Sequence, residues 1–376
     1  MLERSGPAED HDLFREAVRR FMAREVVPHM DQWEEDGVVS REVWRRAGAA
    51  GLLCPTIAAE YGGLGLDFRY NAIVTEELCY TGAVVSFGLQ SDITAPYILH
   101  YGSEEQKRHY LPRLISGELI SAIAMTEPNG GSDLKNLKTS ARRDGDHFVI
   151  NGAKTYITNG QLADLILVAC RTGGEGARGI SLILVEAGDA GFSRGRNLDK
   201  VGQNMADTSE LFFNDVRVPA DHLLGAENRA FYYMMQDLPQ ERLTIAVGAQ
   251  AAAQRALDEA IRFTKERKAF GNSIFEFQNT RFVLAGLKAR IQAGWAHLDW
   301  AIDRHVRGEY SAEEAAAGKL FHTELQWDVV DAALQLHGGS GYMNEYPIAR
   351  LWRDARIQRI YGGSSEIMKE IIARAL

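Results

Sequence analysis

The sequence closes on RIYGGSSEIMKEIIARAL, Arg359 to Leu376, where Gly-Gly-Ser-Ser-Glu runs straight into an apolar-periodic helix. Such a loop can cradle an anion, because backbone N–H groups and the positive end of a helix point the same way. The same residues also read as an ordinary helix start, capped by Ser364 or Ser365 with no ligand. QLHGGSGY, Gln335 to Tyr342, places further glycines just after a helix, where backbone can approach a ligand closely. ERKAFG, Glu266 to Gly271, ends a helix with Lys265, Arg267 and Lys268 clustered, and cations there suit the negative end of the helix dipole. None of these segments follows the strand–GxGxxG–helix pattern, which excludes a Rossmann dinucleotide site. LPQERLTIA sets a carboxylate, Glu241, beside a guanidinium, Arg242. Taken alone, Glu241 is a first-turn acid favoured by the helix dipole. Successive helical residues diverge by ~100°, so Arg242 points to another face.

These stretches need elements to hold them. From Asp10 to about Gly117 apolar residues recur at helical spacing, with Phe14, Val18, Phe21 and Met22 on one face. SEEQKRHYLPRLISGE begins with Ser103 as N-cap and has Gln106 at the capping-box spacing. The period then changes. HFVING, TYITNG, DLILVAC, GISLILVEA and SELFFNDVRVP are short β-branched or aromatic runs, broken by Asn-Gly, Gly-Gly and Asp-Gly turns. After Gly225 long helices return, the first read as starting at Glu241. This order predicts an α+β multi-domain chain: an N-terminal α-helical domain over 1–120, a middle β domain over 121–225 and a C-terminal helical domain over 226–376.

A chain of 376 residues exceeds one ordinary core. The net charge of −9 argues against nucleic acid or an anionic membrane as partner. No apolar run approaches the ~20 residues a membrane span needs. Cys54, Cys79 and Cys170 are unclustered, lack metal spacing and read as reduced thiols. MLERSGPAEDHDLFREAVRRF lacks the apolar stretch of a signal peptide and is not the acid-poor type of an organelle presequence, which predicts a cytoplasmic, bacterial protein.

As an ordered set, the motifs resemble those of the acyl-CoA dehydrogenase family from end to end. AMTEPNGGSD (Ala124–Asp133) resembles its flavin-binding signature, KTYITNG (Lys154–Gly160) its second flavin segment, and KVGQNMADTSELFFNDVRVP the exit from its β domain. ERKAFG with Gln278, QLHGGSGY and YPIARLWRDARIQRIYGGSSEI are similar to its carboxyl-terminal signatures. The resemblance implies an N-terminal α domain, a middle β-barrel-like domain and a C-terminal domain of four-helix-bundle type. It implies non-covalent FAD and a homotetramer, a dimer of dimers with each flavin at a dimer interface. It also implies oxidation of an acyl-CoA to the trans-2-enoyl-CoA, with electrons passed to electron-transfer flavoprotein. Carried over by position, Met125 and Thr126 touch the isoalloxazine, Tyr156 packs on it and the Thr158 hydroxyl faces its N5. Ser132 sits near flavin and substrate. Arg267, Phe270 and Gln278 reach the FAD of a neighbouring subunit, with Gln335, Gly338 and Gly339 at its pyrophosphate. Ser364 and Glu366 contact the adenosine end, so on this reading the Gly-Gly-Ser-Ser loop holds a cofactor. Tyr232, in FYYMMQ, lies with Ser86–Ile93 around the substrate.

The implied chemistry sets strict demands. The α C–H of a thioester is a weak acid, so its carbonyl must be polarised and a carboxylate must reach the α carbon. The flavin N5 takes the β-hydride on the opposite face, with water excluded. In many members the residue after the motif tyrosine is the base; here it is Gly362. The long-chain and isovaleryl branches, which the chain resembles here, carry their base on the helix instead, and this implies Glu241. Gly362 keeps an N–H for the thioester carbonyl, and Arg242 is assigned to the CoA phosphates. The expected acyl group is medium- or long-chain, or branched. A nitroalkane oxidase-like relative would carry aspartate as base, and a DNA-protective flavoprotein relative would want a basic surface; the glutamate and the charge of −9 speak against each.

Overall fold

The computed structural model describes residues 9–376, so the stretch read for a targeting segment begins outside the described residues. The N-terminal layer contains α1 (Glu9–Phe21), α2 (Met30–Asp36), α3 (Arg41–Ala49), α4 (Phe68–Thr81), α5 (Ala95–Tyr101) and α6 (Glu104–Ile115). A π-helical segment, Leu89–Thr94, runs directly into α5. Ser103 and Gln106 close the capping box of α6 as their spacing predicts.

The chain then turns to strands: β1 (Ser121–Ala124), β2 (Ser140–Asp144), β3 (His147–Thr158), β4 (Leu165–Arg171), β5 (Ile180–Glu186), β6 (Phe192–Asn197), β7 (Thr208–Pro219) and β8 (Leu223–Leu224). Their order is β6-β7-β3-β2-β4-β5-β8, with β1 parallel to β4. Strands β4 and β5 are buried on both faces, which is why they read as unbroken apolar runs. Leu165, Leu167 and Ala169 face the N-terminal helices. Ile166 and Val168 join Phe148, Ile150, Phe213 and Val216 in a second core, around which the sheet curls. HFVING and TYITNG are one strand, not two runs parted by a turn. Asn151-Gly152 is a register shift within β3; Gly152 has φ +149°, and a Cβ there would lie 2.5 Å from Thr139 Oγ1. Close backbone approach, rather than turning, explains that glycine.

The last part holds α7 (Ala230–Glu266), a short hairpin of β9 (Lys268–Ala269) and β10 (Asn272–Ser273), α8 (Gln278–Val306), α9 (Ala312–His337), α10 (Pro347–Ala355) and α11 (Ser365–Ala373). Helix α7 begins at Ala230, well before Glu241, and runs through Pro239. Proline forfeits the hydrogen bond to the carbonyl of Met235, a residue 42% exposed, where water can take that carbonyl. Alanines on α7 (Ala253, Ala256, Ala260) let it pack closely on Val329, Val330 and Ala333 of α9. Leu243, Ala246 and Val247 pack on Phe68 and Ala72 of α4. Helix α7 thus joins the two helical parts through its own sides. Among the described residues no helix is long and apolar enough to cross a membrane.

Candidate active site

Glu241 lies in the interior of α7, where the dipole of the helix start no longer reaches, so the first-turn reading fails. The residue is 7% exposed. Tyr97, on α5 and fully buried, donates its hydroxyl to Glu241 Oε1 at 3.1 Å. Burial pushes the carboxyl up to about 7; the Tyr97 bond and Arg242 oppose this, and the negative charge of Asp237 adds to it. Near neutral pH Glu241 is therefore divided between acid and base forms, the balance a general base needs.

The Gly362–Gly363 loop crosses α7 one turn further on. Both glycines have positive φ, +64° and +96°, and a Cβ on Gly362 would lie 2.4 Å from Ile245 Cδ1. A side chain at 362 thus meets backbone strain, and the end of the Ile245 side chain must move aside for it. Lys319 Nζ, on α9 and fully buried, donates to the carbonyl of Gly363 at 2.8 Å; burial lowers its pKa to about 8. Arg242 Nε reaches the carbonyl of Gly362 at 3.5 Å. Arg242 is itself buried, 5% exposed, and turned toward this loop rather than held out at the surface. Its ~100° offset from Glu241 leads inward, because that face of α7 packs under the loop. Among the described residues, the N–H groups of Gly362 and Gly363 find no acceptor. They remain available to a ligand carbonyl.

The flavin-facing residues of the sequence reading come together at the ends of β1 and β3. Met125 and Thr126 leave β1, and the Thr155 N–H of β3 donates to Thr126 O at 2.9 Å. Beneath them Lys154, 0% exposed, donates to Met125 O at 3.0 Å and Glu127 Oε1 at 2.9 Å. Glu127 also accepts the N–H of Lys138 at 2.5 Å and of Thr139 at 2.8 Å. Tyr156 has φ +59° in a bulged part of β3 and is 69% exposed. A β-carbon held left-handed on a rigid strand costs about 1–3 kcal/mol, and such strain clusters at ligand sites. An exposed ring, the Thr158 hydroxyl close by on the same strand and a pinned loop fit the flat, partly apolar face of a flavin.

The other named residues lie elsewhere on the chain. Ser132 is exposed in the loop after β1, and Tyr232 is half-exposed, with the Arg229 guanidinium 4.9 Å from its ring centre. Arg267 is exposed at the end of α7. Phe270 tips the β9–β10 hairpin at φ +53° and is 94% exposed. Gln278 opens α8, and Gln335, Gly338 and Gly339 stand exposed at the end of α9. Ser364 caps α11, accepting the N–H of Ile367 at 3.4 Å, with Glu366 exposed in its first turn. Among the described residues, none of these side chains hydrogen-bonds Glu241 within one chain. Sequence reasoning missed Tyr97, Asp237, Lys154 and Glu127, whose roles depend on partners far along the chain.

Three family models match in order: the acyl-CoA dehydrogenase N-terminal domain at residues 8–118, middle domain at 122–216 and C-terminal domain at 228–376. The chain belongs to the acyl-CoA dehydrogenase family and is an FAD oxidoreductase. It is 48% identical to the mitochondrial long-chain specific acyl-CoA dehydrogenase of Sus scrofa, over 98% of this chain and 87% of that protein. It is 36% identical to the mitochondrial isovaleryl-CoA dehydrogenase of Pongo abelii, over 99% and 89%. Its fold matches the crystal structure of an acyl-CoA dehydrogenase from Geobacillus kaustophilus with a TM-score of 0.97 and 47% identity, covering 99% of each chain.

Proposed function

We propose that this protein oxidises medium- or long-chain, or branched, acyl-CoA thioesters to trans-2-enoyl-CoA, with Glu241 as the base that removes the α-proton. The observation that carries this is a buried carboxyl with a pKa near 7, beside a loop whose two N–H groups are free to receive a carbonyl. The N–H of Gly362 polarises the thioester and acidifies the α C–H, while Lys319 and Arg242 hold the carbonyls of that loop. Burial around Glu241 keeps water from competing for the proton and the carbonyl. Met125, Thr126, Tyr156 and Thr158 hold the isoalloxazine, with Ser132 nearby. Arg267, Phe270, Gln278, Gln335, Gly338, Gly339, Ser364 and Glu366 complete FAD sites shared between subunits. FAD, when bound, supplies the two-electron oxidation.

An apolar ring such as Phe270 at 94% exposure favours a cover from a second copy, in keeping with a homotetramer whose dimer interfaces hold the flavin. Electron-transfer flavoprotein is the proposed acceptor and the bacterial cytoplasm the proposed location. The long-chain and isovaleryl relatives support placing the base on the helix and an acyl group longer or more branched than butyryl. An anaerobic panel of acyl-CoA thioesters, read by bleaching of the flavin, tests the proposal. Reduction should be most efficient with the longer or branched members. A maximum at four carbons would reject the substrate class, and no bleaching by any member would reject the reaction.

A further inference from the structure

We propose that Tyr97 is a positioning residue for Glu241: its hydroxyl holds Oε1 of the carboxylate and leaves Oε2 free to take the α-proton. The inference rests on Glu241 being the base. The two side chains come from elements 144 residues apart, and both are buried. Burial, with the negative charges of Glu241 and Asp237 close by, raises the phenol well above its usual range. Tyr97 therefore keeps its proton and can only donate it to the carboxylate. A donor to the charged form stabilises that form, so this bond lowers the pKa that burial raises. It also removes the freedom of the carboxylate to rotate away from the substrate.

Other charged or titratable groups surround the pair. Asp237 lies one turn before Glu241 on α7, with Oδ1 2.8 Å from His100 Nδ1; among the described residues its Oδ2 is buried without a hydrogen-bond partner, with Tyr101 close by. Arg242 follows on α7, and Lys319 approaches the Gly362–Gly363 loop from α9. Asp92, in the π-helical segment before α5, meets α7 at Thr244 through a 3.0 Å bond. Asp237 works against ionisation of Glu241 and Arg242 for it. Among the described residues Tyr97 is the one side chain that hydrogen-bonds the Glu241 carboxyl directly.

Tyr97→Phe removes only the hydroxyl and suits an apolar setting. Loss of a hydrogen bond to a charged group should raise the Glu241 pKa by roughly one to two units. From a starting value of about 7, flavin reduction by acyl-CoA at pH 7 should slow roughly 5- to 50-fold, because less of the carboxylate is ionised. The loss should shrink as the pH rises to about 9, a recovery that a packing defect would not give. Flavin content and the melting temperature are read alongside, to show that the variant is folded and loaded. A pH profile overlying that of the wild type, or a loss equal at every pH, would overturn the proposal. Glu241→Gln is measured in parallel. If it reduces its flavin normally, the base reading fails; if it is inactive while Tyr97→Phe keeps the wild-type profile, only the role of Tyr97 fails.

Discussion

Lys154→Met should destabilise the protein far more than its single position suggests. The ammonium is fully buried and bonds Met125 O at 3.0 Å and Glu127 Oε1 at 2.9 Å. Burial alone would raise the Glu127 pKa, but Lys154 and two backbone N–H groups hold the carboxyl below its usual range. Removing one partner of a buried pair leaves an uncompensated charge, at a cost of about 3–5 kcal/mol. The N–H groups of Lys138 and Thr139 still serve the carboxylate, which favours the lower end. If the chain melts as one unit, that is roughly 4–6 °C for its length. Glu127→Ala should be worse, since it strands the ammonium and also leaves both N–H groups unpaired, each costing ~1–3 kcal/mol. Thermal melts of flavin-stripped protein give the ranking, and apoprotein titration with FAD reads the loop carrying Met125 and Thr126. The reasoning fails if Lys154→Met melts with the wild type, or if Glu127→Ala is the milder change.

Two further outcomes are expected. Gly362→Glu should restore little activity to Glu241→Gln, because φ of +64° strains any side chain there and the end of the Ile245 side chain must move aside; adding Ile245→Ala removes the contact but not the strain, so turnover should stay low in both variants, and the kinetics of the two test this. On the proposed shared FAD site, Arg267→Ala should lower flavin retention and loosen the assembly together, since a cofactor bound across an interface would stabilise both; sedimentation and the flavin-to-protein absorbance ratio read the two effects.

The sequence showed the three-part order because its hydrophobic period changes from helical to alternating and back. Local rules located the cap at Ser103. They misread Asn151-Gly152, where the glycine serves a close approach to Thr139 rather than a turn. They also placed the start of α7 too late; the helix begins at Ala230 and tolerates Pro239, whose lost partner is the carbonyl of an exposed residue. Glu241 became legible through the absence of a side chain at Gly362, a relation between motifs far apart in sequence. Tyr97 had no such signal, for its contact spans 144 residues and nothing nearby marks it. Lys154 lies within the same stretch as Tyr156 and Thr158, but only the folded sheet reveals that its charge is enclosed. Arg242 was assigned by its angle around the helix, and in the fold that face lies against the Gly362–Gly363 loop.

The central claim is that Glu241 removes the α-proton, and rapid-mixing flavin reduction by acyl-CoA under anaerobic conditions tests it most directly. Glu241→Gln keeps the shape and the hydrogen bond from Tyr97 but cannot accept the proton. It should load FAD and bind acyl-CoA, yet reduce its flavin ~10²–10⁴-fold more slowly than the wild type. The wild-type rate should itself fall as the pH drops through about 7, since protonation of a carboxyl raised by burial removes the base. Reduction of Glu241→Gln at the wild-type rate would contradict the account and send the search for the base to the other acids near the site.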